Sequence, residues 1–140
     1  PVALQALAQL HTQPDVIICD GQGYAHPRRF GLACHLGLWL DRPTIGCAKT
    51  RFIGTYANLG QNQGDRAPLM DGGEVIGVAL RTRSQTNPVF VSVGHKFDLD
   101  TAAAVVLRCV RGYRLPETTR AADHLSRAIA ANAEDTEEQP

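Results

Sequence analysis

No CxxC pair occurs in the sequence, and only four cysteines are spread over its 140 residues. That excludes a disulfide scaffold, a zinc knuckle and a thioredoxin-like redox site. No run of 18 apolar residues is present, so no segment reads as a membrane span. No basic start followed by a long apolar stretch marks a signal peptide. There is no excess charge of one sign: 14 basic residues face 14 acidic ones. No internal repeat and no second domain can be found. The expected setting is a soluble cytoplasmic protein with reduced thiols and no membrane.

What is present bounds the class. A chain of this length forms one domain with a core. A hydrophobic fraction of 44% with 20% charge excludes a generally disordered chain and a collagen-like polymer. The zero net charge is uneven. Glu134, Asp135, Glu137 and Glu138 crowd the C-terminal end, and the remainder holds 14 basic against 10 acidic groups. A modestly positive body suits a polyanion, though a solvated surface has the same composition. The chain starts at Pro1 without Met, which reads as a shortened or processed chain.

The apolar spacing of Val2 to His11 predicts a helix ended by Pro14. Val16 to Cys19 is a short β-branched run, read as a buried parallel strand. Arg29 to Leu40 reads as a helix, with Gly31, Ala33 and Gly37 allowing close packing, and Thr44 to Ala48 as a second buried strand. This strand–helix–strand unit brings Asp20 and Lys49 to the same sheet edge, where open α/β sheets bind ligands. Residues 54 to 73 read as an irregular loop. Glu74–Arg81 and Pro88–Val93 read as a hairpin. Asp98 or Asp100 caps a helix to about Arg111, and Pro116 and Glu117 open a last helix to about Ala133.

Asp20, ending an apolar strand before Gly21-Gln22-Gly23, is the most informative residue. A carboxylate there holds Mg²⁺, a hard cation that shares its shell between carboxylate, water and phosphate. Asp-Gly is equally a turn former. The glycine spacing matches neither a dinucleotide fingerprint nor a P-loop. His26, Arg28 and Arg29 precede a helix, as in phosphate sites and as in plain solvated helix starts. Lys49 either neutralises a phosphate or is a surface lysine. Asp123 is either a second metal-side carboxylate or a helix-surface acid, three residues from Arg120. His35, inside an apolar helix, reads as a core histidine. The cysteines read as small buried apolar residues.

Five segments together are similar to the endonuclease V family of deoxyinosine-specific nucleases. They are PDVIICDGQGYAHPRR (14–29), RPTIGCAK (42–49), PLMDGGE (68–74), NPVFVSVGH (87–95) and GYRLPETTR (112–120). The likeness runs from about Pro1 to Asp123 and is specific in the combination of DGxGxxHPRR with PTIGxAK. Thr118 departs from the proline of many relatives. The resemblance implies an α/β, RNase H-like mixed sheet with flanking helices. It implies Mg²⁺, with Mn²⁺ as the alternative, and cleavage at the second phosphodiester bond 3′ to inosine in DNA, or in RNA for some relatives.

By the same resemblance Asp20 and Asp123 are metal carboxylates and Lys49 sits near the scissile phosphate. Gly21, Gly23, Gly31, Leu32 and Phe52 surround the extruded base, and His26 and Arg28 lie in the nucleic-acid-side loop. It further implies that residues 1–133 are the C-terminal part of the family domain without its N-terminal strands, followed by a disordered acidic tail at 134–140. In that reading the isolated chain needs the missing part, or another chain, to complete its sheet and active site. A noncatalytic inosine- or nucleic-acid-binding fragment is the alternative function, and half of a split protein is a third.

Overall fold

The computed structural model describes residues 2–137, with side chains from 5 to 132. The elements run α1 (Val2–Ala8), β1 (Ile17–Cys19), α2 (Leu32–Leu40), β2 (Thr44–Ala48), β3 (Arg66–Asp71), β4 (Glu74–Leu80), β5 (Val89–His95), α3 (Leu99–Arg108) and α4 (Glu117–Glu137). The strands form one mixed sheet in the order β1-β2-β5-β4-β3. β1 pairs parallel to β2, with Ile17 opposite Thr44 and Cys19 opposite Gly46. The other pairings are antiparallel.

Alternation along the strands divides the core between two faces. Ile45, Cys47, Val78, Leu80, Val89 and Val91 meet Ala102 and Val106 of α3 on one face. Ala48, Leu69, Ile76, Ala79 and Phe90 meet Ala25, Tyr24, Ile53 and Tyr56 on the other. Cys19 and Ile17 pack on Ala33 and Leu36 of α2. α3 starts where Asp98 accepts from the Thr101 N–H at 2.9 Å, so Asp98 is the cap.

Several expectations change. The expected absence of the N-terminal strands, with the need for another chain to complete the sheet, is corrected. The N-terminal helix α1 and strand β1 are part of the structure, and β1 is held in register by hydrogen bonds to β2. Its three residues make a short edge, and Ile17 and Cys19 pack under α2. The stretch 54–73 is not all loop, because Arg66–Asp71 forms edge strand β3. Pro68 obscures it in the sequence, yet an edge strand tolerates proline. Ala67 and Leu69 supply its buried alternate positions.

α2 begins at Leu32, not at Arg29, because Arg29 adopts a left-handed conformation with φ 57°. His35 is exposed, not core: the buried face of α2 is Ala33, Cys34, Leu36 and Gly37. α4 extends to Glu137. Residues 138–140 and the side chains of the acidic segment lie outside the described residues, as does Pro1.

Candidate nuclease site

β1 positions the first group. Val16, Ile18 and Asp20 alternate along the chain, so they share one side of the sheet edge. Facing them are Val105 and Cys109 from the α3 region and Thr118, Thr119, Ala122, Asp123 and Ser126 from α4. These α4 residues recur at three- and four-residue spacing, which is one helical face. Together they enclose a cavity of about 410 Å³ with Asp20 and Asp123 both on its wall. Asp20 is the polar end of an otherwise apolar strand. Asp123 is the acid that the face of α4 turns toward the strand.

Lys49 follows β2 as Asp20 follows β1, and the parallel pairing brings their ends side by side. Lys49 Nζ lies 3.7 Å from Asp20 Oδ2, with both side chains partly open to solvent. Asp123 is paired to Arg127 at 3.3 Å, not to Arg120. Arg120 is held by Glu117 and lies over the Tyr113 ring at 3.5 Å. Among the described residues no three His, Cys, Asp or Glu side chains converge as a ready-made metal cage. The donor set is two carboxylates with room beside them. That suits a hard cation which completes its shell with water and phosphate oxygen, and does not suit a closed zinc site.

The glycine loop leads from this cavity to a second one. Gly23 donates its N–H to Ser92 Oγ at 2.9 Å, and Gly31 donates to the Gly23 carbonyl at 3.0 Å. A Cβ on Gly31 would stand 2.5 Å from the Gln22 carbonyl oxygen. The loop therefore lies flat against its neighbours at positions where only glycine fits. Gln22, His26, Arg28, Phe30, Gly31, Leu32, His35 and Phe52 line a pocket of about 380 Å³. His26 stacks on Phe52 with ring centres 5.5 Å apart and planes 11° apart, and His26 Nδ1 accepts from the Arg28 N–H at 3.1 Å.

Gly31, Leu32 and Phe52, expected around the base, thus share one pocket with His26 and Arg28, expected in the nucleic-acid-side loop. Gly21 and Gly23 form the loop beside it, and a Cβ on Gly21 would touch Leu32 at 3.6 Å. The structure adds Gln22, Phe30, His35 and Thr119, none of which the sequence reading singled out as site residues. Thr119 was detectable as the residue four before Asp123 on the same helix face. Gln22 ties the loop to the end of β2 by donating to the Thr50 carbonyl at 3.0 Å.

Arg29 does something else. It reaches Asp71 at 2.8 Å, Glu74 at 3.2 Å and the His26 carbonyl at 3.1 Å, while the Tyr24 hydroxyl donates to Glu74. Hydrogen bonds from Tyr24 and Arg29 hold the Glu74 carboxyl below its ordinary range. Arg29 is thereby committed to pinning the pocket loop on the β3–β4 hairpin. Burial pushes the Cys19 thiol up to about 11 and the Cys47 thiol up to about 12. Neither is a nucleophile at neutral pH.

Asp20 and Lys49 thus stand at one sheet edge of an α/β domain, with Asp123 across the cavity and a glycine loop leading to an aromatic-walled pocket. The family model for endonuclease V matches residues 1–124. The endonuclease V of Nostoc punctiforme is 52% identical over 128 residues, covering 91% of this chain and 58% of that protein. The crystal structure of the Streptomyces avermitilis endonuclease V superposes with a TM-score of 0.91 at 51% identity, covering 96% of this chain and 59% of that one. The Ciona intestinalis endonuclease V, solved in complex with a 23mer DNA containing an inosine followed by a ribo-adenosine, gives 0.78 at 30% identity, covering 94% and 61%. The chain belongs to the endonuclease V family, and its mixed sheet with flanking helices is the family's RNase H-like fold. It spans somewhat over half the length of these relatives. Among the described residues no helix is long and apolar enough to cross a membrane.

Proposed function

We propose that this chain carries the site of a metal-dependent endonuclease that cleaves the second phosphodiester bond 3′ to inosine in DNA. The observation that carries the reading is the pairing of two cavities through one loop. Asp20 and Asp123 share the first, beside Lys49, and Gly31, Leu32 and Phe52, three of the residues expected around a flipped base, share the second. The inosine complex of the Ciona relative supports the choice of base.

Asp20 and Asp123 would hold Mg²⁺, or Mn²⁺ in its place. When bound, such an ion neutralises phosphate charge and makes water a better nucleophile. Lys49 adds a positive charge where negative charge grows on the phosphate. His26 stacked on Phe52 offers a flat wall to an extruded base, and Leu32 excludes water beside it. Gly21 and Gly23 shape the loop beside the pocket, with the Gly23 N–H and carbonyl taken by Ser92 and Gly31. Arg28 borders the pocket, where it can meet the sugar-phosphate backbone. RNA is accepted by the same arrangement if the groove tolerates a 2′-hydroxyl.

The test is Mg²⁺-dependent nicking of a duplex containing one inosine, against the same duplex with adenosine. The expected result is nicking of the inosine strand only, lost with EDTA and in Asp20→Asn. Equal nicking of both duplexes, or nicking that survives EDTA, would overturn the proposal. A second reading, an inosine-binding module without cleavage, is favoured by the lack of a three-donor group among the described residues. It predicts tight binding of the inosine duplex with no nick.

A further inference from the structure

One residue of the first cavity carries an unpaired polar group. Thr119 lies in the first turn of α4, is 7% exposed, and lines the cavity together with Asp20 and Asp123. Its hydroxyl is buried without a hydrogen-bond partner, and it is the only side-chain N or O so placed among the described residues. Helical threonines commonly satisfy their hydroxyl on a carbonyl of the preceding turn, and this one does not. A buried hydroxyl left unpaired costs stability, so native proteins keep such groups where something else fills the need.

The backbone around it points the same way. The first amides of a helix have no intrahelical acceptor. At α4 the Glu117 N–H is taken by the Cys109 carbonyl, and the Arg120 N–H by the Pro116 carbonyl. The N–H groups of Thr118 and Thr119 remain as the open donors of that turn. Two open amides at the positive end of a 21-residue helix, next to the buried, unpartnered hydroxyl of a cavity-lining threonine, form a seat of hydrogen-bond donors. A phosphate oxygen, which only accepts, matches it. The carboxylates of Asp20 and Asp123 on the same cavity wall repel a bare anion, so occupation depends on a divalent cation between them.

We infer that the Thr119 hydroxyl and the Thr118 and Thr119 amides form a phosphate-oxygen subsite that positions the phosphodiester against Asp20 and Asp123. The inference rests on the nuclease reading for the identity of the phosphate, and Thr119 is a residue that holds substrate in place.

The experiment uses the full chain labelled with ¹⁵N and titrated with inorganic phosphate in Mg²⁺, alongside nicking of the inosine duplex and thermal melting. Three proteins are compared: the native sequence, Thr119→Val and Thr119→Ser. The expected result is a saturable shift of the Thr118 and Thr119 amide resonances that weakens without Mg²⁺. Thr119→Val should bind phosphate about tenfold or more weakly, the size of one hydrogen bond to a charged group, and nick correspondingly less. Thr119→Ser should restore both to within a few-fold. Thr119→Val should melt at or above the native temperature, because it removes an unpaired buried hydroxyl.

Unmoved amides, phosphate binding by Thr119→Val equal to that of the native protein, or a clearly lower melting point for Thr119→Val would each overturn the inference. If phosphate moves these amides but no inosine duplex is nicked, the subsite stands and the nuclease reading falls. If the duplex is nicked equally well by the native protein and Thr119→Val, the reverse holds.

Discussion

Replacing Gly46 by alanine tests how the two cavities are joined. Gly46 sits in the middle of β2, and the glycine loop lies directly on it. A Cβ there would stand 2.8 Å from the Gln22 carbonyl carbon and from the Gly21 oxygen, and closer still to the Gly23 nitrogen. All three are backbone atoms, so no side chain can swing aside. Ordinary carbon contacts are about 3.5–4.0 Å, so the loop must lift by on the order of 1 Å. Overpacking of this kind costs about 1–3 kcal/mol, which a domain with a two-faced core survives. The catalytic cost is larger. Lifting residues 21–23 strains the Gly23 N–H bond to Ser92 and drags Asp20 and Gln22, which border the two cavities. A misplacement of about 1 Å can cost about a hundredfold in rate. Gly46→Ala should therefore remain folded in a thermal melt, with kcat/KM on the inosine duplex down about a hundredfold. Activity within threefold of the native chain would refute the reasoning that this contact sets the site.

Other perturbations separate roles within the site. Lys49→Met should lower kcat on the inosine duplex by about tenfold to a thousandfold while leaving the melting temperature near its native value, because an exposed ion pair contributes little to stability. An unchanged kcat would remove Lys49 from the phosphate. Arg29→Ala should raise KM more than it lowers kcat, since Arg29 braces the pocket loop through Asp71, Glu74 and the His26 carbonyl and itself lines neither cavity. A pure kcat loss would place it in the chemistry instead. Because Tyr24 and Arg29 depress the folded-state Glu74 pKa, the resulting stability is present above the ordinary carboxylate range and fades as pH falls through it. Urea midpoints at pH 7 and pH 3 should differ less in Glu74→Gln than in the native chain. Cys19, with its thiol raised to about 11, holds only about one thiolate in a thousand at pH 8. Iodoacetamide should label Cys19 and Cys47 only after denaturation, and rapid labelling of the folded chain would contradict their burial.

Legibility in the sequence followed the strength of the local signal. The β1–α2–β2 unit was readable because short β-branched runs bracket a helical period, and its parallel pairing then placed Asp20 and Lys49 together. β3 was hidden because its proline and its Gly- and Asn-rich surroundings look like loop, while only Ala67 and Leu69 are buried along it. The start of α2 was misplaced because nothing in the sequence shows Arg29 turning left-handed to reach two acids far along the chain. His35 was misjudged because its neighbours are apolar on both sides, although only one side of α2 is buried. The opening helix and the strand before Asp20 were legible from apolar spacing and β-branching, whereas the expectation of missing N-terminal strands came from the resemblance alone and gives way to α1 and the paired strand β1. Of the residues that the resemblance assigns to the base side, Gly31, Leu32 and Phe52 line one pocket with His26 and Arg28, while Gly21 and Gly23 lie in the loop beside it. Thr119 is not among them, since an unpaired hydroxyl is a property of packing.

The most direct measurement is the position and chemistry of the cut. A 5′-labelled strand with one inosine, annealed and incubated with the chain in Mg²⁺, should give a single product ending one nucleotide beyond the inosine. That end should carry a 3′-hydroxyl, and its partner fragment a 5′-phosphate, so that ligase reseals the nick. Asp20→Asn and Asp123→Asn should each abolish the product while still binding the duplex. A cut at any other bond, a product that ligase cannot reseal, or full activity in either variant would contradict the account.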